Sequence, residues 1–413
     1  LDITDAGGSD IYDFDFVAPA GDPNVPQQTD AIVRIVDDVV NNDGVADRID
    51  LDIDSAGSDI YVHPLEVMLD NLHISFNTGI ELFNLTDHAP QTTVTTSPTS
   101  GPPNLLIKTG VSIRSATGGA IELLARDDFT LQAGALIETT GIVTIRADQD
   151  SDAAGATIDL LGTINADQVA VYGNDDNDTI NVGNVTSGTE TTIYALGGSD
   201  TVNVRTINAE TTVNTGSGVN TVNVGSGTPG TGGDVNGIVG RLVVHGQSSN
   251  DTLNVYDNDA GAETGNLTAT DLTGLDLGVG INYNDGTDKV ETLNIFLGAR
   301  VDTFNILSTN AATATTLNTG DGDNIVNVQT IAGVTTVNGG NGSDTFNVGS
   351  NAAGVVGNAN LNTDGTLDGI GALLTINGND PTSGSDVLNV DDTADTNPNT
   401  GTLTFNTITG LGM

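Results

Sequence analysis

Short runs of alternating apolar and polar residues follow one another along most of the chain. In Thr201–Val204 and Thr345–Val348, every second residue is Val or Phe, and Thr and Asn stand between them. This period of two is typical of β-strands with one buried face. Val202 and Val204 are expected to point inward and Asn203 outward. Gly, Asp and Asn separate the runs, as tight turns require. The pattern predicts an all-β chain.

One short core, D-T-x-N-V with small variations, recurs along the second half of the chain. The cores begin at Asp178, Asp200, Asn220, Asp251, Glu291, Asp302, Asn324, Asp344 and Asp386. The steps from 178 to 200, from 200 to 220, from 302 to 324 and from 324 to 344 are short and nearly equal, and each fits one coil of a β-solenoid. The steps from 220 to 251, from 251 to 291 and from 344 to 386 are longer, and they fit either two coils or one coil with a protruding loop. The step from 291 to 302 is the shortest.

A longer repeat lies above the cores. The cores at Asp178, Asp200 and Asn220 recur with the same steps at Asp302, Asn324 and Asp344. Residues 201–218 match 325–342, and residues 251–277 match 386–413. Residues 278–301 complete the first copy and have no counterpart in the second copy. We therefore interpret the sequence as a segment of a longer tandem array.

Stacking explains why such a weakly hydrophobic repeat folds. A single coil cannot bury its Val and Ile side chains, whereas coils stacked about 4.8 Å apart pair their backbones and share one core. The Asn of each core would then lie above the Asn of the next core, which predicts a ladder of side-chain amides.

The chain is strongly acidic, with 55 Asp and Glu against 10 Lys and Arg and a net charge of −45. This charge excludes nucleic acid and anionic membrane surfaces as partners, because both are polyanions. No stretch approaches the roughly 18 apolar residues of a membrane-spanning helix. The absence of Cys excludes disulfides and thiolate metal sites. Cations are the natural partners; a solvated or salt-adapted surface is the alternative.

Residues 339–347, GGNGSDTFN, fit the nonapeptide G-G-x-G-x-D-x-U-x at every fixed position. Residues 174–413 thereby resemble the calcium-binding glycine–aspartate repeats of secreted RTX proteins of the haemolysin type, although each coil has one such turn rather than two. The resemblance implies calcium in the turns. Stacked Asp side chains would also repel one another unless a cation lay between them. Asn220 and Asn324 relieve the same repulsion without metal. The candidate ligands are Asp175, Asp176, Asp178, Asp200, Asp251, Asp302, Asp321, Asp323, Asp344 and Asp386.

A second candidate calcium loop lies nearer the start of the chain. Residues 40–50, VNNDGVADRID, resemble the loop of EF-hand and dockerin modules. Its candidate ligands are Asn41, Asp43, Asp47 and Asp50. The first ligand position of that family falls on Val39, so an acidic β-turn is the alternative. His63, His73 and His88 have no spacing typical of metal ligands.

Residues 105–173 follow a different rhythm of short strands separated by turns such as TGG and AGA. This rhythm resembles the right-handed β-helix of filamentous-haemagglutinin-like adhesins. Taken together, the patterns predict a right-handed parallel β-solenoid of about 20–22-residue coils, preceded by an N-terminal β-rich region. Residues 60–76 fit either one short helix or two strands. The predicted regions are an acidic β-rich region at 1–95, a Thr/Pro-rich joint at 96–104, a haemagglutinin-like β-helix at 105–177, a first repeat copy at 178–301 and a second, truncated copy at 302–413.

A structural role follows from this regularity. We expect an extracellular or cell-surface rod of a bacterial fibre or adhesin, stabilised by calcium, with further copies of itself, the rest of a longer chain and glycans as partners. An enzyme is not expected, because basic residues are scattered singly and no catalytic motif is present. The alternatives are a β-helix enzyme acting on glycans and a passive ice- or glycan-binding array built on Thr pairs such as Thr191–Thr192.

Overall fold

The computed structural model describes residues 105–413 apart from gaps at 108, 111, 116–117, 126, 149–153, 184, 228–232, 248–249, 259–260, 287, 353–361 and 380–384. Before residue 105 it describes the backbone of ten strands. These residues form strands and turns and no helix, which confirms the all-β prediction. Accordingly, none of them belongs to a helix that could cross a membrane. The chain divides into two compact units, Leu1–Gly218 and Val219–Met413. The predicted boundary between 301 and 302 lies inside the second unit.

The first unit consists of short strands. They are β1 Asp2–Asp5, β2 Ile11–Val17, β3 Arg34–Asp37, β4 Arg48–Asp54, β5 Ile60–Val62, β6 Leu65–Met68, β7 Asn71–Phe76, β8 Ile80–Leu82, β9 Leu85–Asp87, β10 Gln91–Thr96, β11 Leu105–Ile107, β12 Ser112–Ser115, β13 Ala120–Leu124, β14 Phe129–Leu131, β15 Leu136–Glu138, β16 Ile142–Arg146, β17 Thr157–Leu160, β18 Thr163–Tyr172, β19 Thr179–Val182, β20 Val185–Tyr194, β21 Thr201–Val204 and β22 Glu210–Asn214. The described residues of the range 60–76 thus lie in three strands and in no helix.

These strands form three columns, where a column is a set of strands each paired in parallel with the next. Column 1 consists of β5, β8, β11, β14, β17, β19 and β21. Column 2 runs through β1, β3, β6, β9, β12, β15 and the first halves of β18 and β20. Column 3 runs through β2, β4, β7, β10, β13, β16, the second halves of β18 and β20, and β22. Parallel pairing therefore continues across residues 96–104, from β10 to β13.

The core of the first unit is a stack of aliphatic side chains. In column 1, Ile180 lies in register with Val202, and both are at most 1 % exposed. Thr201 and Asn203 are partly exposed on the opposite parity, as the alternation predicts. Since Val and Ile pack well on a pleated surface, stacking converts short strands into a continuous core. This parallel, repeating arrangement is that of a β-solenoid-like fold.

The second unit contains the remaining strands. They are β23 Thr221–Val224, β24 Leu242–His245, β25 Thr252–Asp257, β26 Thr264–Leu267, β27 Asp271–Gly274, β28 Ile281–Asn282, β29 Thr292–Leu297, β30 Thr303–Ile306, β31 Ala314–Asn318, β32 Ile325–Val328, β33 Thr335–Asn338, β34 Thr345–Val348, β35 Leu374–Asn377, β36 Val387–Val390, β37 Gly401–Leu403 and β38 Ile408–Gly410. Column 4 consists of β23, β25, β29, β31, β33 and β35. Column 5 consists of β26, β30, β32, β34 and β36.

The long steps between cores join strands that are direct neighbours in one column. β23 pairs directly with β25, β25 with β29, and β34 with β36, although their cores are far apart in the sequence. Of the two alternatives that the sequence left open, these pairings favour one coil rather than two at each long step. In the segment between β25 and β29, β26, β27 and β28 form an antiparallel meander, and β28 pairs in parallel with β24.

The shortest step, from Glu291 to Asp302, marks a change of column. The cores that begin at these residues give β29 in column 4 and β30 in column 5, which are not paired with each other. As a result, the equivalent cores at Asn220 and Asp344 lie in different columns. The same D-T-x-N-V sequence thus serves both columns of the second unit.

Candidate cation sites and the acid ladder

The predicted ladder of side-chain amides is present, divided among the columns. In column 1, Asn203 Nδ2 donates to Asn181 Oδ1 over 2.9 Å, and Asn181 Nδ2 donates to Asp159 Oδ1 over 2.7 Å. The other links run from Asn254 to Asn223, Asn294 to Asn254, Asn338 to Asn318, Asn377 to Asn338, Asn305 to Asn266, Asn327 to Asn305, Asn347 to Asn327 and Asn389 to Asn347, all at 2.8–2.9 Å. Within each run, an amide between two others donates to one neighbour and accepts from the other, so these rungs support one another.

The first residue of each core forms a second ladder, which we call the acid ladder. Its side-chain oxygen accepts the backbone N–H of the matching residue one coil earlier. Asp200 Oδ1 accepts from Asp178 N over 2.8 Å, and Asp344 Oδ1 accepts from Asn324 N over 2.8 Å. The other links run to Asp251 from Asn220, to Glu291 from Asp251, to Asp302 from Glu263, to Asn324 from Asp302 and to Asp386 from Asp344, at 2.7–3.0 Å.

The acid ladder explains the variation at the first core position. The N–H that begins each strand requires an acceptor oxygen in the next coil, because a buried unpaired N–H is costly. Asp, Asn and Glu all carry such an oxygen, and the chain uses all three at Asp251, Asn324 and Glu291. The position therefore requires an acceptor and does not require a charge.

Burial makes two of these carboxylates unusual. Asp344 is fully buried and Asp178 is 2 % exposed. Burial raises the pKa of both carboxyl groups, and neighbouring acids add to the effect. Both oxygens of Asp178 accept backbone N–H groups, from Ala156 and Asn174. By contrast, Asp344 Oδ2 has no hydrogen-bond partner among the described residues.

Asp391 is also buried, but its pKa is lowered rather than raised. It is 4 % exposed, and burial by itself would raise its pKa. Hydrogen bonds outweigh burial and lower the pKa: Thr393 Oγ1 donates over 2.7 Å, Gly365 N over 2.6 Å and Thr393 N over 3.1 Å. This carboxylate closes the loop that carries Gly365, so its ionised form supports the local fold.

The predicted turn ligands lie nearer the surface. Asp175, Asp321 and Asp323 are exposed, and Asp176 is partly exposed. Asp321 Oδ1 accepts from Asn341 Nδ2 over 2.9 Å, and Asp323 Oδ1 accepts from Ser343 N over 2.8 Å. Each of these bonds again joins equivalent places in successive coils, so the turns also stack through acceptor oxygens.

The core acids fit calcium only in part. Each has one oxygen committed to a backbone N–H, which leaves at most one oxygen for an ion. In the part of the chain that the structure describes, the repeat turns contain no group of three His, Asp or Glu ligand atoms within 4.8 Å of one another. Asn41, Asp43 and Asp47 lie outside the described residues, and Asp50 lies in β4, of which only the backbone is described. Calcium at these residues stays a prediction.

The described residues do contain one such group, and the sequence reasoning missed it. His245, Asp285 and Asp288 place one ligand atom each within 4.8 Å of the others. His245 ends β24 and the two acids lie in the turn after β28. His245 and Asp285 are too far apart in the sequence to give a ligand spacing that a motif would reveal; only the pairing of β24 with β28 brings them together.

No family model, curated protein or solved structure matches this chain. The resemblances to RTX repeats and to haemagglutinin-like helices therefore rest on the sequence patterns alone.

Proposed function

We propose that this chain is a structural element of an extracellular or cell-surface fibre or adhesin of a bacterium, and not an enzyme. The observation that supports this proposal is the use of its polar side chains. Asn, Asp and Thr, which an enzyme would need in a cleft, are here engaged in coil-to-coil ladders such as Asn305–Asn327–Asn347. A surface built in this way resists distortion along the whole stack, which suits a load-bearing spacer.

The finer architecture belongs to the same proposal. We assign a right-handed parallel β-solenoid with coils of about 20–22 residues, a length at the short end of known solenoid repeats, interrupted by protruding segments. The regular register between β17, β19 and β21, from Thr157 to Thr179 to Thr201, supports this coil length. Sedimentation velocity and small-angle X-ray scattering test the rod: an elongated particle is expected, and a compact particle would refute it. A density map from crystals or electron cryomicroscopy gives the handedness directly.

The proposed partner is another coil of the same kind, from a further copy or from the rest of a longer chain. Leu253 and Val255 of β25 are fully buried beneath β29. The matching residues of β36, Leu388 and Val390, are 49 % and 37 % exposed. A strand like β29 would bury them in the same way, since burial of apolar area drives such stacking.

Association of the chain tests this partner. Light scattering across a concentration series is expected to show self-association that Leu388→Asp abolishes. A matched control, Val219→Asp, changes an exposed Val outside this face and is expected to leave association unchanged. Strictly monomeric protein at every concentration would count against the proposed partner.

Calcium is a separable part of the proposal. Thermal unfolding followed by circular dichroism, after chelation and then with added calcium, tests it directly. If the turns hold calcium, the chelated protein melts lower and calcium restores the melting temperature, because a ligand of the native state stabilises that state. An unchanged melting temperature would refute calcium binding in the turns and would leave the ladders as the stabilising elements.

The Thr pairs give little support to an ice- or glycan-binding array. In the pairs that begin at Thr191, Thr211, Thr315 and Thr335, the first Thr is at most 2 % exposed. Only the second Thr of each pair reaches the surface. Each pair thus offers one outward Thr, which strand propensity explains.

A further inference from the structure

The group at the end of β24 has the chemistry of a transition-metal site. His245 Nδ1 lies 3.3 Å from Asp285 Oδ2 and 3.9 Å from Asp288 Oδ2. Ligand atoms that share a tetrahedral ion at roughly 2.0–2.2 Å lie about 3.3–3.6 Å from one another. The 3.3 Å separation lies in this range, and all three ligand atoms lie within 4.8 Å of one another.

The turn that carries the two acids holds them in place. Asp288 N donates to Asp285 Oδ1 over 2.9 Å, which leaves Asp285 Oδ2 facing the imidazole. Asn284 and Lys289 close the turn as an antiparallel bridge, and Gly286 adopts a φ of +104° within it. Hydrogen bonds of this kind to a ligating carboxylate fix the orientation of its second oxygen.

A close backbone approach brings the imidazole to the turn. β24 pairs with β28 through Leu242 and Val243, and His245 follows shortly after them. A Cβ atom on Gly246 would overlap the carbonyl oxygen of Lys289, so only glycine allows this approach. The ammonium of Lys289 lies 3.7 Å from Glu291 Oε1, and this ion pair holds it on a carboxylate outside the group.

The second repeat copy shows what this strand position does without a histidine. Residues 237–246, GIVGRLVVHG, match residues 369–378, GIGALLTING, and place Asn377 where the first copy has His245. Asn377 Nδ2 donates to Asn338 Oδ1 over 2.8 Å, as part of an amide ladder. The solenoid itself therefore accepts Asn here.

We propose that His245, Asp285 and Asp288 bind a divalent transition-metal ion such as Zn²⁺. One imidazole nitrogen with two carboxylate oxygens suits Zn²⁺ and its neighbours, whereas Ca²⁺ takes oxygen ligands alone. Three protein ligands leave at least one coordination position for water or for a group from a partner. The bound ion clamps the protruding turn to the end of β24.

Zinc titration of the metal-depleted protein, with calcium in excess to occupy the acidic surface, tests the site. The probe is Zn²⁺ alone, followed by calorimetry and by melting temperature. His245→Asn introduces the residue that the second copy uses, and Asp276→Asn, an exposed acid in the same segment, is the matched control. We expect His245→Asn to lose one tight zinc equivalent per chain and the zinc-dependent rise in melting temperature. Asp276→Asn should retain both.

Cobalt substitution gives an independent readout. Co²⁺ in a tetrahedral site of this kind absorbs visible light strongly, and the band should be present in the unsubstituted protein and absent in His245→Asn. Asp285→Asn and Asp288→Asn should each weaken zinc binding at least about tenfold. Equal zinc binding by the unsubstituted protein and by His245→Asn, or no binding by either, would overturn the proposal and leave a histidine–carboxylate ion pair.

Discussion

Replacing Asp344 with Asn should stabilise the protein at neutral pH. The Oδ1 atom would still accept the N–H of Asn324, while the buried charge would disappear. At the matching position one coil earlier, Asn324 Nδ2 already donates to Gly322 O over 3.1 Å and to Thr319 O over 3.4 Å. Since an unsatisfied buried polar atom costs about 1–3 kcal/mol, we expect a gain of this size in the free energy of unfolding.

The gain should depend on pH in a definite direction. Burial, followed by the nearby acids Asp386 and Asp323, raises the folded-state pKa of Asp344 above its value in the unfolded chain. Protonation therefore favours the folded state: the contribution of this group is fully present below the unfolded value of about 3.9 and is lost as the pH rises through the folded-state pKa. Asp344→Asn should thus differ most from the unsubstituted protein near neutral pH and least in acid.

Asp178→Asn is the matched control, with the opposite expected sign. Both Asp178 oxygens accept backbone N–H groups, from Ala156 at 2.7 Å and Asn174 at 2.9 Å. An amide would set its NH₂ group against one of these donors, which should lower the free energy of unfolding by about 1–3 kcal/mol. The same substitution at two buried core acids therefore separates the loss of a charge from the loss of an acceptor.

Denaturant unfolding measures both variants, with a chelator and with calcium. The acid ladder predicts the same gain for Asp344→Asn in both solutions. A loss of stability in calcium alone would mean that the free Oδ2 atom binds an ion, as the resemblance to RTX repeats implies. A loss in both solutions would refute the view that the core position needs only an acceptor.

Three further predictions concern turns, ladders and pH. Gly340→Ala should lower the free energy of unfolding by well over about 2 kcal/mol, because φ is +82° and the added Cβ would overlap a backbone carbonyl. Gly110→Ala, at φ +83° in open space, should lower it by only about 1–2 kcal/mol. Equal losses in denaturant unfolding would argue against tight stacking of the turns. Asn327→Leu breaks two ladder bonds and should cost about 2–4 kcal/mol in the same assay, and an unchanged midpoint would show that the ladder is not stabilising. Thr393→Val removes a donor that lowers the pKa of Asp391. The stability from this carboxylate is present above its unfolded pKa and is lost as the pH falls through its lowered folded pKa, so the acid-unfolding midpoint of the variant should move to higher pH. An unmoved midpoint would contradict this role.

The strands and their inward faces could be predicted from sequence because alternation is a local signal. Val202, Val204 and Asn203 have the predicted orientation, and the Asn ladders follow from equal positions in successive coils. The column of each core could not be predicted in this way. The step from Glu291 to Asp302 is half of a regular coil, and the letters of the core are the same in both columns.

The chemistry of the acids was harder to predict than their positions. A sequence shows that carboxylates recur, but not whether their oxygens face an ion, water or a backbone N–H. Here the cores use them as acceptors, which Asn and Glu can replace. The group around His245 joins residues that are distant in the sequence through a meander that has no regular period, so no spacing rule could reveal it.

The use of one core sequence in both columns bears on how such a gene can change in length. An unequal exchange between any two cores joins one D-T-x-N-V sequence to another and restores a complete core at the junction. The product gains or loses one or more coils, and because either column accepts the same core, the first N–H of the core strand finds an acceptor in both columns. Selection can therefore vary the length of this protein in small steps, while the packing of each remaining coil stays unchanged.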